Sequence, residues 1–242
     1  MKTAIGISFV LPMFNERENI AATIKKIQTL AGELTDDHEI VIVDDASTDG
    51  SVDIVEKLAK EDNSIKLFRM KKNSKFGGAF ALGFKKAEKN IILYTDSDMP
   101  VSDEDMKKSF PLIEEYDIVT GYSKIKKGDT LTRKIISKAY NCIIQTIFRL
   151  DIKDINSGYK IIRGDVVKDL NFISRSPFVD VEIFVHAAKM KCKIFQYPLV
   201  FRSREGGKSY ISGIKFIGAT FIDIVRVKLK SNGVTHKEAH VK

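Results

Sequence analysis

Only two cysteines, Cys142 and Cys192, occur in 242 residues, far apart and in no CxxC pair. A disulfide framework or a structural zinc site needs more sulfur at closer spacing, so neither is expected, and a reducing compartment suits the chain. His38, His186, His236 and His240 form no metal-ligand spacing. Nowhere do 18 uncharged apolar residues run together, so no bilayer-spanning helix is expected. No N-terminal segment joins a basic start, an apolar run and a small-residue cleavage site, because Met1 to Leu11 reads as a strand. A glycine fingerprint G-x-G-x-x-G is missing after that strand; Pro12 to Asn15 fills the turn, which excludes a dinucleotide-dependent oxidoreductase. Internal repeats and low-complexity linkers are absent as well.

What is present is ordinary for a folded protein: 43% hydrophobic and 30% charged residues. The net charge of +8 is unevenly spread. Residues 1–120 carry 16 Lys+Arg against 22 Asp+Glu, and residues 121–242 carry 24 against 10. The second half therefore suits an anionic partner, such as a phosphorylated substrate or an anionic membrane surface. No aromatic-basic stacking motif accompanies the charge, so nucleic acid is not expected.

Along the chain, short apolar runs alternate with helical periodicity. Ile5 to Leu11 is apolar at nearly every position and is expected to form a strand buried on both faces, stopping at Pro12. Asn19 to Leu34 places Ile20, Ile24, Ile27, Leu30 and Leu34 at helical spacing. Strands follow at Glu39 to Val43, Ile65 to Arg69 and Asn90 to Thr95, with a helix at about Gly50 to Lys60 and a glycine-bearing loop from Asn73 to Gly83 leading into another. Four alternations predict an α/β chain with a mostly parallel sheet and right-handed crossovers. Further on, the pattern gives strands at Asp117 to Gly121 and Lys193 to Phe201, and a turn into a strand over Asp154 to Arg163. Helices are expected at Lys134 to Leu150, Val179 to Met190 and Ile211 to Leu229, with polar basic loops at Lys124 to Arg133 and Arg202 to Tyr210 and a frayed tail from Ser231.

Ligands of such sheets bind at the carboxyl ends of strands, and acidic residues cluster there: Asn15-Glu16, Asp44-Asp45 and Asp96-Ser97-Asp98. Any one of them could be a helix N-cap; three sets at one edge point to a site. Two carboxylates at i and i+2 project to the same side. Together they offer hard oxygen ligands to Mg²⁺ or Mn²⁺, which would bridge and neutralise a departing diphosphate.

Phe9 to Asn19, Ile42 to Gly50, Asn73 to Gly83 and Tyr94 to Asp98 resemble, in order and spacing, the signature stretches of family-2 glycosyltransferases. The resemblance implies a GT-A fold, a nucleoside-diphosphate sugar donor (GDP- or UDP-linked), a divalent metal and inversion at the anomeric carbon. In the second half, Leu131 to Ser137, Asp154 to Lys160 (for D-x-x-S-G-F-R) and Phe201 to Ser209 look most like the dolichyl- or polyprenyl-phosphate mannose synthase branch. Carried over, the donor site takes Pro12, Phe14, Glu16, Val43, Asp45, Asp96, Ser97 and Asp98, with the metal on Asp96 and Asp98. Asp98, Arg133 and Arg204 would be catalytic, and Arg133, Arg204 and Lys208 would hold the acceptor phosphate. The reaction implied is transfer of a hexose, mannose or glucose, to a polyprenyl or dolichyl phosphate.

The sequence departs from the family pattern in three places. Pro100 replaces a metal-contacting Gln, Tyr210 stands where the basic loop ends in Lys, and Lys124 is the nearest cation where an Arg follows Gly121. A phosphate acceptor is largely dianionic at neutral pH and needs no general base. A sugar hydroxyl would need one, and Asp180 or Glu182 is the candidate, although Asp180 is expected on a solvated helix surface. A catalytically silent sugar-nucleotide binder is the remaining alternative. The expected domain layout is a GT-A domain over 1–210, split into a donor and metal half (1–120) and an acceptor half (121–210), then an amphipathic helix over 211–230. Ile135 to Phe148 and Ile211 to Leu229 pair apolar faces with lysines, as helices in a membrane interface do, which implies a peripheral protein on the cytosolic face.

Overall fold

The structure, a computed structural model, describes residues 2–96, 99–126, 131–201 and 222–229, without the side chains of residues 75, 76, 124–126 and 131–134. Seven strands form one sheet: β1 (Ile7–Met13), β2 (His38–Asp44), β3 (Ile65–Arg69), β4 (Ile91–Thr95), β5 (Ile118–Lys126), β6 (Tyr159–Arg163) and β7 (Ile194–Phe201). Their order is β3-β2-β1-β4-β6-β5-β7. Neighbours pair in parallel except at β6, which runs antiparallel to both β4 and β5.

The central strands β1, β2 and β4 are apolar on both faces because each face carries its own core. Ile7, Phe9, Leu11 and Met13 of β1 join Ile40 and Ile42 of β2 beneath α1 (Ile20–Leu34) and α2 (Ser51–Glu61). The intervening Val10, Val41 and Val43 point the other way, onto α3 (Lys75–Lys86). That second face continues under α5 (Leu131–Phe148) and α7 (Val179–Met190) and ends on a helix at 222–229, here α8, through Val227. Between them lie a short helix α4 (Asp103–Ser109), a 3-10 turn at Phe110–Glu114 and α6 (Gly164–Lys168), none of which stands out in the apolar pattern. Alternation with period two thus sorts one strand's side chains between two cores.

Two expectations are corrected here. Strand β1 does not stop at Pro12 but continues to Met13. Pairing with β4 ends at Val10, while Met13 accepts from the Asp45 N–H on the β2 side at 2.9 Å. Pro12 therefore turns its missing donor toward the side that β4 has left, where no ladder bond is lost. The glycine-bearing stretch is helix rather than loop from Lys75 onward. Its glycines serve close packing: a Cβ on Gly77 would lie 2.6 Å from the Arg175 carbonyl carbon, and one on Gly83 2.5 Å from Val10.

The basic stretch after Gly121 is also less loop than expected. β5 extends to Lys126, paired with β7 as far as Phe201, with an irregularity between Ser123 and Ile125. Helix α5 then begins at Leu131. Of the expected 211–230 helix, 222–229 is helical and the remainder lies outside the described residues. No helix among the described residues is long and apolar enough to cross a membrane.

Candidate active site

The carboxyl ends of β1, β2 and β4 come together because these three strands are neighbours and parallel. A residue two to four positions beyond each strand end is bent into a left-handed conformation: Asn15 (φ 54°) after β1, Ala46 (φ 64°) after β2 and Met99 (φ 41°) after β4. Non-glycine residues pay for that conformation, and such strain concentrates where a backbone must hold a ligand-facing shape. The first two turns are locked to each other. Asn15 Oδ1 accepts from the Thr48 N–H at 2.8 Å, and the Asn15 N–H donates to Ser47 Oγ at 2.9 Å. Ser51 Oγ accepts from the Glu16 N–H at 2.9 Å.

The acidic residues of this edge divide by what they hold. Asp44 accepts from the Ser47 N–H at 3.1 Å and so closes its own turn. Asp49 accepts from the N–H of Ser51 at 3.0 Å and from that of Arg17 at 3.0 Å, opening α2; these bonds outweigh its partial burial and hold its pKa below the ordinary value. Asp45 reaches across to the next helix. It accepts from the N–H of Ser74 at 2.6 Å and from its hydroxyl at 2.7 Å, just before α3 begins. None of the three is itself an N-cap residue: α2 opens at Gly50 and α3 at Ser74, Asp49 reaches the first N–H of α2, and Asp44 and Asp45 hold loop backbone and the Ser74 cap residue. Glu16, buried, accepts from Asn19 Nδ2 at 2.9 Å.

Pro12 and Phe14 are half-buried along the same edge. Val43, expected among the donor contacts, has its side chain fully buried in the α3 core, which leaves it no surface for a ligand. Ser97, Asp98, Arg204 and Lys208 lie outside the described residues, as does the side chain of Arg133.

Asp96 is the described half of the candidate metal pair, and it is held from two directions. The Tyr94 hydroxyl donates to Asp96 Oδ1 at 2.6 Å. On its other side the carboxylate lies against Gly158, so closely that a Cβ there would fall inside the van der Waals surface of Oδ2. The Asp96 N–H donates to the Gly158 carbonyl at 3.3 Å, continuing the β4–β6 ladder by one residue. Asp96 is partly exposed, and its carboxylate is a hard oxygen donor of the kind that Mg²⁺ or Mn²⁺ prefers. Among the described residues no group of three or more candidate ligands gathers. A cation here would thus draw on Asp96 and, by sequence, Asp98.

Behind Asp96 lies a charge pair. Lys160 of β6 is fully buried, and its Nζ sits 2.8 Å from Asp180 Oδ1 of α7. The same ammonium donates to the Ser157 carbonyl at 2.5 Å and faces the rings of Tyr94 and Phe184 at 5.7 and 5.8 Å. The expectation of a solvated Asp180 is therefore wrong: the residue is 2% exposed. Helix α7 lies flat on the second core, so its first turn faces inward. Burial pushes the Asp180 pKa up to about 6, with Asp96 and Asp154 adding repulsion and Lys160 opposing both. Glu182 is also buried, and accepts from the N–H groups of Ile173 at 3.0 Å and Ser174 at 2.8 Å, pinning the segment before α7. The residues that sequence reasoning missed are Tyr94, Gly158 and Lys160. Two signals were available: the resemblance to D-x-x-S-G-F-R, which puts Gly158 and Lys160 at its glycine and basic positions, and a lysine set between Tyr159 and Ile161 in a strand.

A separate cavity on the outer side of α7, lined by Asp169, Leu170, Glu182, His186, Lys189 and Val227, belongs to the helical layer and not to the strand ends.

The family model for glycosyl transferase family 2 matches residues 8–178. The chain belongs to glycosyl transferase family 2. The family-2 chain is 26% identical over 227 residues to an undecaprenyl-phosphate mannosyltransferase of Micrococcus luteus, covering 90% of this chain and 91% of that protein. It is also 26% identical to an undecaprenyl-phosphate 4-deoxy-4-formamido-L-arabinose transferase of Serratia proteamaculans, over 89% of this chain and 65% of the relative. Among solved structures, glucosyl-3-phosphoglycerate synthase of Mycobacterium tuberculosis in complex with Mn²⁺, UDP and phosphoglyceric acid superposes with a TM-score of 0.71 at 16% identity, over 96% of this chain and 80% of that one. The fold is the GT-A arrangement, an α/β architecture with a mostly parallel sheet flanked by helices.

Proposed function

We propose that this glycosyltransferase moves a hexose, mannose or glucose, from a GDP- or UDP-linked donor onto a polyprenyl or dolichyl phosphate. The donor would lie over the carboxyl ends of β1, β2 and β4, along Pro12, Phe14, Glu16 and Asp45. Asp96 and Asp98 would hold Mg²⁺ or Mn²⁺, and a cation bound there would neutralise the departing nucleoside diphosphate. Relatives that act on undecaprenyl phosphate support the acceptor class, and Mn²⁺ with UDP in a protein of the same fold supports the cofactor.

The observation that carries the acceptor reading is the state of the two α7 carboxylates. A hydroxyl acceptor needs a general base within reach of its proton. Asp180 is buried in an ion pair with Lys160, and Glu182 is committed to two backbone N–H groups. A phosphate dianion needs no base, only positioning and screening from the anionic donor. Arg133, Arg204 and Lys208 are the cations proposed for that work, in the half of the chain that carries 24 Lys+Arg against 10 Asp+Glu.

The acceptor would be met at an anionic membrane surface. Helix α5 packs through Ile144 and Phe148 while exposing Ile135, Ile136 and Ile143; α8 packs through Val227 while exposing Ile222, Val225 and Leu229. Lys228 donates to the Ile147 carbonyl at 2.7 Å and joins the two helices. Such half-packed helices suit an interfacial position, on the cytosolic face where nucleotide sugars are available.

The test is a donor-cleavage assay with GDP-mannose and UDP-glucose, with and without polyprenyl phosphate and Mn²⁺. Turnover should require both additions, and Asp96→Ala should abolish it. Transfer to a free sugar hydroxyl at a comparable rate, or full activity of Asp96→Ala, overturns the reading.

A further inference from the structure

Lys160 occupies a strand position where packing alone would be served by an aliphatic residue. It is fully buried on the α7 face of the sheet, beside Ile162 in the period-two pattern. Taking an ammonium and a carboxylate out of water costs several kcal/mol per ion, and an apolar pair of similar volume is often as stable or more so. The pair therefore calls for a role other than stability.

The contacts of Lys160 supply one. β4 and β6 run antiparallel with Tyr94 opposite Lys160, so the two side chains are neighbours on one face. The ammonium lies 5.7 Å from the Tyr94 ring centroid, and the hydroxyl of that ring donates to Asp96 Oδ1. In the other direction the ammonium holds the Ser157 carbonyl, one residue before Gly158, whose backbone lies against Asp96 Oδ2 and bonds the Asp96 N–H. Both oxygens of one carboxylate are thus placed by groups that rest on Lys160. Asp180 fixes the ammonium itself from α7, at 2.8 Å.

We propose that Lys160, clamped by Asp180, is a positioning residue for the cation site: it sets the orientation of the Asp96 carboxylate through Tyr94 on one side and the Ser157–Gly158 backbone on the other. The inference rests on the metal reading of Asp96 given above and deepens it. It also gives Asp180 a function that the base reading misassigned. Asp180 acts on the reaction through Lys160 and touches neither sugar nor acceptor.

The experiment measures Mn²⁺ affinity by electron paramagnetic resonance in the presence of UDP and, separately, of GDP, with no acceptor and no turnover. The informative variant is the double substitution Lys160→Met with Asp180→Asn. It removes one positive and one negative charge, so the net charge of the site is unchanged and no buried ion is orphaned. Loss of groups that orient a metal ligand weakens metal binding by roughly 10- to 100-fold, and a weakening in that range is expected while the thermal midpoint stays at or above that of the wild type. Lys160→Arg, which keeps the cation and the donor to Ser157, should bind Mn²⁺ more tightly than the double variant. A purely structural role would shift the midpoint and leave the affinity of the folded protein alone. A folded double variant with wild-type Mn²⁺ affinity therefore overturns the inference while leaving the glycosyltransferase reading standing. A wild-type chain that binds no Mn²⁺ with either nucleotide removes the metal reading and the inference together.

Discussion

At the amino-terminal edge of the sheet, Glu39 is buried: its Oε1 accepts from Ser8 Oγ at 2.5 Å and the Glu88 N–H at 2.6 Å, and Lys66 pairs with its Oε2 at 2.7 Å. At the carboxyl-terminal edge, Asp180 is equally buried and paired, yet two further carboxylates, Asp96 and Asp154, press on it. Burial raises the pKa of both groups. For Glu39 the bonds from Lys66, Ser8 and Glu88 win and hold it below its ordinary value, whereas for Asp180 burial and repulsion win and lift it to about 6. One edge spends its polar groups on stability. The other gathers like charge, left-handed turns and a carboxylate pressed against glycine, conflicts that a fold tolerates where a ligand is to resolve them.

The largest expected effect tests the crowded edge. In Gly158→Ala the new Cβ collides only with the Asp96 carboxylate, the far end of a side chain and not backbone. Rotation of Asp96 relieves the clash but breaks its bond from Tyr94. A displacement on the order of 1 Å in a reacting constellation costs about 100-fold in rate. The variant should therefore melt close to the wild type while transfer falls by about that factor. A large drop in melting temperature with activity retained in the folded fraction would show that the glycine serves folding, and the contrast between the edges would fail.

The next effect tests the quiet edge. Because Glu39 is held below its ordinary pKa when folded, its contribution is fully present above that value and disappears as pH falls through the folded one. Asp180 has the opposite sign. Its raised pKa means that folding is favoured by protonation as pH drops from about 6 toward the ordinary range. Glu39→Gln should cost about 1.5–3 kcal/mol at neutral pH, the worth of hydrogen bonds to a charged group. It should also flatten the acid limb of the stability curve, read from denaturant midpoints between pH 3 and 7, roughly, with transfer in the folded protein unchanged. An unaltered acid limb would show that Glu39 is not a stabilising group.

Much of the fold was legible in the sequence because it follows periodicity. Ile65–Arg69 and Val179–Met190 were bounded correctly from apolar spacing, and β4 to within one residue. The site was legible as a set of strand ends, since Asn15-Glu16, Asp44-Asp45 and Asp96 all leave parallel neighbours. What periodicity cannot carry is anything decided by a partner distant in sequence. The helix over Gly77 and Gly78 reads as a loop until Arg175 is seen against it. The solvated reading of Asp180 stands until Lys160 is placed beside it by the reversed strand β6. Val43 carries a family motif, yet its side chain belongs to the core because strand alternation outranks the motif.

The smallest expected effect separates the kind of charge from its surroundings. Lys108 and Glu104 on α4 pair at 2.6 Å with i,i+4 spacing, chemically the same contact as Lys66 with Glu39 and at nearly the same distance. Both α4 side chains are exposed, at 61% and 76%, so water and salt screen them, and holding two long side chains in one geometry offsets the attraction. Lys108→Ala should leave the denaturant midpoint unchanged within error at physiological salt, while Glu39→Gln moves it measurably under the same conditions. Equal shifts in the two variants would mean that burial contributes nothing to the difference. The opposed behaviour of the two sheet edges would then have to come from something other than desolvation.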